Sequence, residues 1–121
     1  MARIGESPAD AAVQAARRFI EGFNARDADA LRADATEEVE LRMPRGTPLR
    51  GHEGLDDLVK VAADAGVLLA RAGSEEIEAD ADITRVTVPV REFVRRRELP
   101  GKATFEVRDG RVAAFSVALA D

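Results

Sequence analysis

The chain has 121 residues, which suits one domain over 1–121 with a single core and room for one small-molecule pocket. Its net charge of -5 argues against a global pull on nucleic acid or an anionic membrane, so neither is an expected partner. With no cysteine, tyrosine or tryptophan, disulfides, thiolate metal sites, thiol nucleophiles and phenol donors are all excluded.

The opening stretch MARIGESPADAA lacks the apolar core of a secretory leader, and nothing approaches the roughly 18 apolar residues of a membrane span. A cytoplasmic protein is the expectation. Ser7-Pro8-Ala9-Asp10 reads as a helix start, with a capping hydroxyl, a proline suited to the first turn and an acid near the positive end of the dipole. Val13, Ala16, Phe19, Ile20 and Phe23 then recur at helical spacing as one apolar stripe. Asn24 to Asp27 breaks it, and Asp27 can cap a short second helix over about 28–34 that carries Leu31. Residues 37–46, EEVELRMPRG, alternate as a half-buried strand. Val39, Leu41 and Met43 share one face, and Glu38, Glu40 and Arg42 share the other.

Residues 44–51 form a loop containing Pro44, Gly46, Pro48 and Gly51. A third helix is expected from near His52. Leu55, Leu58, Val59, Ala62 and Leu69 give its apolar face, and Gly73 sits where a helix-ending glycine belongs. The remainder reads as sheet. Strands are expected over about 74–80 and about 83–95, with Val86, Val88 and Val90 alternating. Leu99-Pro100-Gly101 marks a turn, and strands over about 102–108 and 111–120 flank Asp109-Gly110. A two-residue turn there would set Phe105 opposite Ala114 and split the apolar residues between faces. A three-residue loop, Arg108 to Gly110, sets Phe105 opposite Ala113 and Ala103 opposite Phe115. Ala103, Phe105, Val107, Phe115, Val117 and Leu119 then share one face, so the longer loop is the expectation. Helices and strands segregate after the first strand. The fold class is therefore α+β, a mainly antiparallel sheet with helices on one face.

The order α-α-β-α-β-β-β-β, with FIEGFNARDADALRADATEEVELRMP, then LRGHEGL, and FEVRDGRVAAFSVALAD at the close, resembles the nuclear transport factor 2-like superfamily. Within it the chain is most similar to the SnoaL-like and ketosteroid isomerase branch, over roughly residues 9–120. The resemblance implies a cystatin-like cone: a curved sheet wrapped around a long N-terminal helix, an apolar pocket inside, and a homodimer. It does not single out an activity, because this fold hosts isomerases, cyclases, dehydratases, epoxide hydrolases and binding modules.

Isomerase chemistry in that family uses a carboxylate base at the end of the first strand, a tyrosine donor on the first helix and a protonated carboxyl two residues before a strand phenylalanine. The matching positions here are Met43, Phe19 and Ala103, all apolar. The inward row Ala103, Phe105, Val107, Phe115, Val117, Leu119 also lacks the carboxylate or histidine that SnoaL-like cyclases place on later strands, and Ser116 falls on the opposite row. No aspartate–arginine–aspartate set of the epoxide hydrolases can be built from inward positions. Phe19, Met43, Ala103, Phe105, Phe115 and Val117 are thus the expected lining of a pocket for a small hydrophobic ligand, and no catalytic residue, metal or cofactor is assigned. The alternative is a non-catalytic dimerisation or protein-interaction module.

The other polar candidates have surface readings. His52 reads as an exposed residue of the first helical turn, and Glu53 and Asp57 as acids near a helix N-terminus rather than metal ligands. Arg42 and Arg50 flank the loop after the first strand as surface residues. The basic run Arg91, Arg95, Arg96, Arg97 and the acidic run Glu75, Glu76, Glu78, Asp80, Asp82 read as cross-strand pairs on an exposed face.

Overall fold

A computed structural model of the chain describes residues 7–119. The first helix, α1, runs Pro8–Asn24. The Ser7 hydroxyl accepts the Asp10 N–H at 3.1 Å and the Asp10 carboxylate accepts the Ser7 N–H at 3.4 Å, a reciprocal capping box. Its stripe is buried at Ala12, Ala15, Ala16, Phe19, Ile20 and Phe23. Arg26, at φ 57, turns the chain out of α1, and Asp27 caps the short α2, Ala28–Ala33, by accepting the Ala30 N–H at 3.1 Å.

Strand β1, Ala35–Arg42, follows, then a two-residue strand β2, Leu49–Arg50. Helix α3 is Gly51–Ala65, and it is ended by Gly66 in the left-handed region at φ 69, not by Gly73. The chain then enters β3, Val67–Arg71, a strand absent from the sequence reading. Leu69 explains the error. It lies seven residues beyond Ala62, two helical turns, and two beyond Val67, one strand repeat, so it satisfies both periods. Pairing decides: Val67 faces Val94 and Leu69 faces Glu92, both on the long strand that spans Ile83–Val94.

Strands β4, Glu76–Asp80, and β5, Ile83–Val94, lie close to where they are expected. Strand β6, however, is longer, Arg97–Arg108, and runs straight through Leu99-Pro100-Gly101. The turn falls at Arg95-Arg96 instead, with Arg95 at φ 58. Proline and glycine thus marked a strand interior, where glycine serves close packing. A Cβ on Gly101 would sit 2.7 Å from the Ala118 carbonyl oxygen. Pro89, in mid-β5, is accommodated because it falls between the stretches paired to β4 and to β3, where its carbonyl accepts the Ala72 N–H at 2.8 Å.

The closing hairpin, β6 with β7 (Arg111–Leu119), corrects the expected register. Its turn is the two-residue Asp109-Gly110, both at positive φ, with Arg108 opposite Arg111. A bulge near Ala113 then shifts the ladder by one residue, so Phe105 faces Phe115 and Ala103 faces Val117. Ala103, Phe105, Val107, Phe115 and Val117 do share the buried face. The hydrophobic pattern fixed which face is buried, and a one-residue bulge in β7 restored that facing in place of the longer loop, shifting the register in the opposite direction.

The sheet order is β2-β1-β7-β6-β5-β3, with β4 also on β5. Strand β1 runs parallel to β7 and the other pairings are antiparallel, so the sheet is mixed. β3 pairs with residues 90–94 of β5 and β4 with residues 83–87, along the same edge. The fold is α+β with a curved sheet whose concave side holds α1, against β3, β5, β6 and β7, while α3 packs on β1, β2 and β3.

Candidate functional site

Two clusters face the concave side of the sheet. The first is aromatic. Phe19 of α1 meets Phe115 at 4.9 Å and Phe105 at 5.7 Å between ring centroids, and Phe105 lies 5.1 Å from Phe115. Phe23 adds a fourth ring at 6.2 Å from Phe115. All four rings are buried, in one edge-on and three tilted contacts, and none is a face-to-face sandwich. Of the expected lining residues, Phe19, Phe105 and Phe115 are therefore brought together. Ala103 and Val117 face each other two residues along the same strands, also buried. Met43 lies one residue past β1, half-buried against the core. Leu41 pairs with Phe115, so the chain at Met43 is heading toward Val117.

The second cluster was not foreseen. On β5 the inward row Val86, Val88, Val90 continues to Glu92, whose side chain is 0% exposed. Glu92 stands between Leu69 of β3 and Leu99 of β6. Its Oε1 accepts Nη2 of Arg45 at 2.5 Å, from the loop that follows Met43-Pro44. Its Oε2 is buried and finds no donor among the described residues. Burying a carboxylate among apolar side chains is costly unless it is paired and fully hydrogen-bonded. Here the pairing is half complete, and the cation comes from a loop side chain that is 51% exposed. The signal for Glu92 is present in the sequence as strand parity, since it lies two residues beyond Val90. Nothing in the sequence assigns Arg45 to it, since a loop has no period.

Neighbouring groups hold this edge in place. The Asn24 amide, at the end of α1, accepts the Leu69 N–H at 2.9 Å and donates to the Leu69 carbonyl at 2.7 Å. It acts as a one-residue substitute for a strand on the outer edge of β3, at the residue whose other side faces Glu92. Arg17 of α1 grips Glu75, in the β3–β4 connection, through Nε at 2.7 Å and Nη2 at 3.1 Å. That hydrogen bonding holds the Glu75 carboxyl below its ordinary value and raises Arg17, with Arg71 adding charge at 3.8 Å.

The remaining polar candidates separate cleanly. His52 is half-buried with Nε2 enclosed and without a partner among the described residues, so the exposed reading is corrected. Glu53 and Asp57 are exposed on α3, and Arg42 and Arg50 are exposed as expected. The acidic run pairs only in part as foreseen, Glu78 with Arg85 at 3.5 Å and Asp82 with Arg108 at 3.5 Å. It never meets Arg95–Arg97, because β4 covers the opposite half of β5. Arg91 pairs instead with Glu98 at 3.1 Å. An open groove of about 800 Å³ crosses the outer face, lined by Glu37, Glu40, Arg50, Glu106 and Arg108 among others.

This cone of sheet around α1, closed by the D-G-R-V hairpin, has the outline of a known domain. The SnoaL-like domain family matches residues 16–115, most of the chain. The chain belongs to the SnoaL-like domain family. No curated protein sequence matches it. Among solved structures, a ketosteroid isomerase-like protein from Erwinia carotovora atroseptica superposes with a TM-score of 0.79 at 17% identity, covering 96% of this chain and 98% of that one. A nuclear transport factor 2-like protein of unknown function from Mesorhizobium loti gives 0.74 at 19% identity, with 96% of both chains covered. A Xanthomonas campestris protein whose name assigns it to the polyketide cyclases gives 0.68 at 20% identity, over 92% of this chain and 91% of that one. At such identities the likeness establishes the SnoaL-like fold and leaves activity to the site itself.

Proposed function

We propose that this SnoaL-like protein binds a small hydrophobic ligand at the concave face of the sheet, beside the buried Glu92, its partner Arg45 and the neighbouring loop residue Met43. The observation that carries the reading is Glu92. Folding alone has no use for a fully buried carboxylate with one oxygen unpartnered, whereas a pocket in an apolar cone uses a few placed polar groups to orient its ligand. The names of the solved neighbours support an isomerase- or cyclase-like setting, on a polyketide- or steroid-like compound. The ketosteroid isomerase apparatus itself is missing, since its base and donor positions hold Met43, Phe19 and Ala103. A β,γ-unsaturated ketone is accordingly expected to convert no faster than in buffer. Native mass spectrometry of freshly purified protein tests the binding reading, with denaturing analysis of any passenger. The expected result is a homodimer carrying a stoichiometric hydrophobic small molecule.

A second reading, a dimerisation or interaction module without ligand, draws on the ring-on-ring packing of Phe19, Phe23, Phe105 and Phe115. It is favoured if the protein carries no passenger and takes up no apolar probe.

A further inference from the structure

We infer that the ligand of this site is a neutral apolar molecule bearing a hydrogen-bond donor such as a hydroxyl, which Glu92 Oε2 accepts while Arg45 remains on Oε1. The inference rests on the binding reading above and narrows its ligand class. Three observations lead to it. Glu92 is wholly buried on the inward row of β5, flanked by Leu69 and Leu99, so the body that meets it is apolar. Oε1 is already taken by the Arg45 guanidinium at 2.5 Å, so the charge of the carboxylate is compensated. Oε2 is enclosed and has no donor among the described residues.

The chemistry follows from what a carboxylate paired with a guanidinium can do. It only accepts hydrogen bonds, so an unpartnered oxygen selects for a donor and against a ketone, ether or carboxylate at the same place. A second cation is disfavoured as well. With Arg45 in position it would meet like charge in a poorly solvated site, and to replace Arg45 it must break a short charge-assisted bond. A neutral O–H meets neither obstacle. Arg45 then has a positioning role: its loop, continuous with Met43, holds the carboxylate by one oxygen and leaves the other for the ligand.

The test uses the full chain and three probes on one carbon frame: indane, 1-indanol and 1-aminoindane, the last protonated at neutral pH. Affinities are read by amide chemical-shift titration. Wild type is expected to bind 1-indanol roughly tenfold or more tighter than indane, the factor appropriate to one hydrogen bond to a charged group, and to give 1-aminoindane no such advantage. In Glu92→Leu the preference for 1-indanol over indane should vanish while indane still binds. Glu92→Gln keeps an acceptor oxygen without the charge and should show a reduced preference. Equal binding of indane and 1-indanol by wild type, or a preference that survives in Glu92→Leu, overturns the inference and leaves the binding reading standing. Selective binding of 1-aminoindane also overturns it, in favour of a cation that displaces Arg45. Binding of none of the three overturns the binding reading and the inference together. If Glu92→Leu does not fold, Glu92→Gln carries the comparison.

Discussion

The aromatic centre of the cone and the Glu92 edge are built from the same inward rows of the same sheet, yet they are held by opposite kinds of interaction. Phe105 and Phe115 are cross-strand partners whose rings lie against Phe19, and every group in that contact is apolar and already satisfied. Glu92, on the adjoining strand β5, is as deeply buried but depends on a single guanidinium from a loop. One region gains from being buried. The other is tolerated despite being buried, and that contrast is what separates a structural cluster from a site.

The contrast has consequences for mutation. At the centre, Phe115→Ala removes a ring packed on three others and should destabilise by about 3–5 kcal/mol, read by chemical denaturation. A cost below about 1 kcal/mol would mean that the centre is loosely packed and that the contrast is false. At the edge the sign should depend on which partner is changed. Arg45→Ala strips the carboxylate of its cation and should cost about 1–3 kcal/mol, less than for a fully buried pair because Arg45 is half-exposed. Glu92→Leu removes the unsatisfied oxygen and should leave stability unchanged or raise it by about 1–4 kcal/mol. Opposite signs from the two variants of one ion pair identify a group kept for something other than folding.

Two smaller effects sharpen the comparison by testing what fixes the edge. Asn24→Ala breaks both bonds to the Leu69 backbone and should cost about 1–2 kcal/mol, with faster hydrogen exchange at the Leu69 amide and its β3 neighbours than at the centre. Arg17→Met should have the smallest effect and a pH signature. Arg17 lowers the Glu75 carboxyl from its ordinary value of 4.5, so the stabilisation is complete above that value. It is lost as pH falls through the lowered value, because protonation ends the pairing. Wild type and Arg17→Met should therefore differ modestly near neutral pH and converge in acid. A difference that persists undiminished in acid would assign the effect to packing of the Arg17 stem.

The same division appears in what could be read before the structure. Residues with a period were legible. The stripe of α1, the alternation of β1 and β5 and the shared face of β6 and β7 all follow from side-chain direction, which depends only on local backbone geometry. Phe19, Phe105 and Phe115 were therefore placed correctly on inward faces. Where one residue fits two periods, as Leu69 does, or where a turn signal lies inside a strand, as at Pro100-Gly101, local reading had no means to choose. Pairing with β5 chose instead.

The sequence by itself determined the apolar rows, because side-chain spacing settles them directly, and its motifs carried the resemblance to the fold family, which implies that the isomerase's base and donor positions hold Met43, Phe19 and Ala103. Only the tertiary structure decided that a bulge rather than a longer loop sets the last hairpin, that Asn24 closes the edge of β3, and that Arg45 reaches Glu92. Each of these is a contact or an offset between segments. The spacing within either segment does not encode which segment will face it, and the balance between a buried carboxylate and its one partner exists only once both are in place.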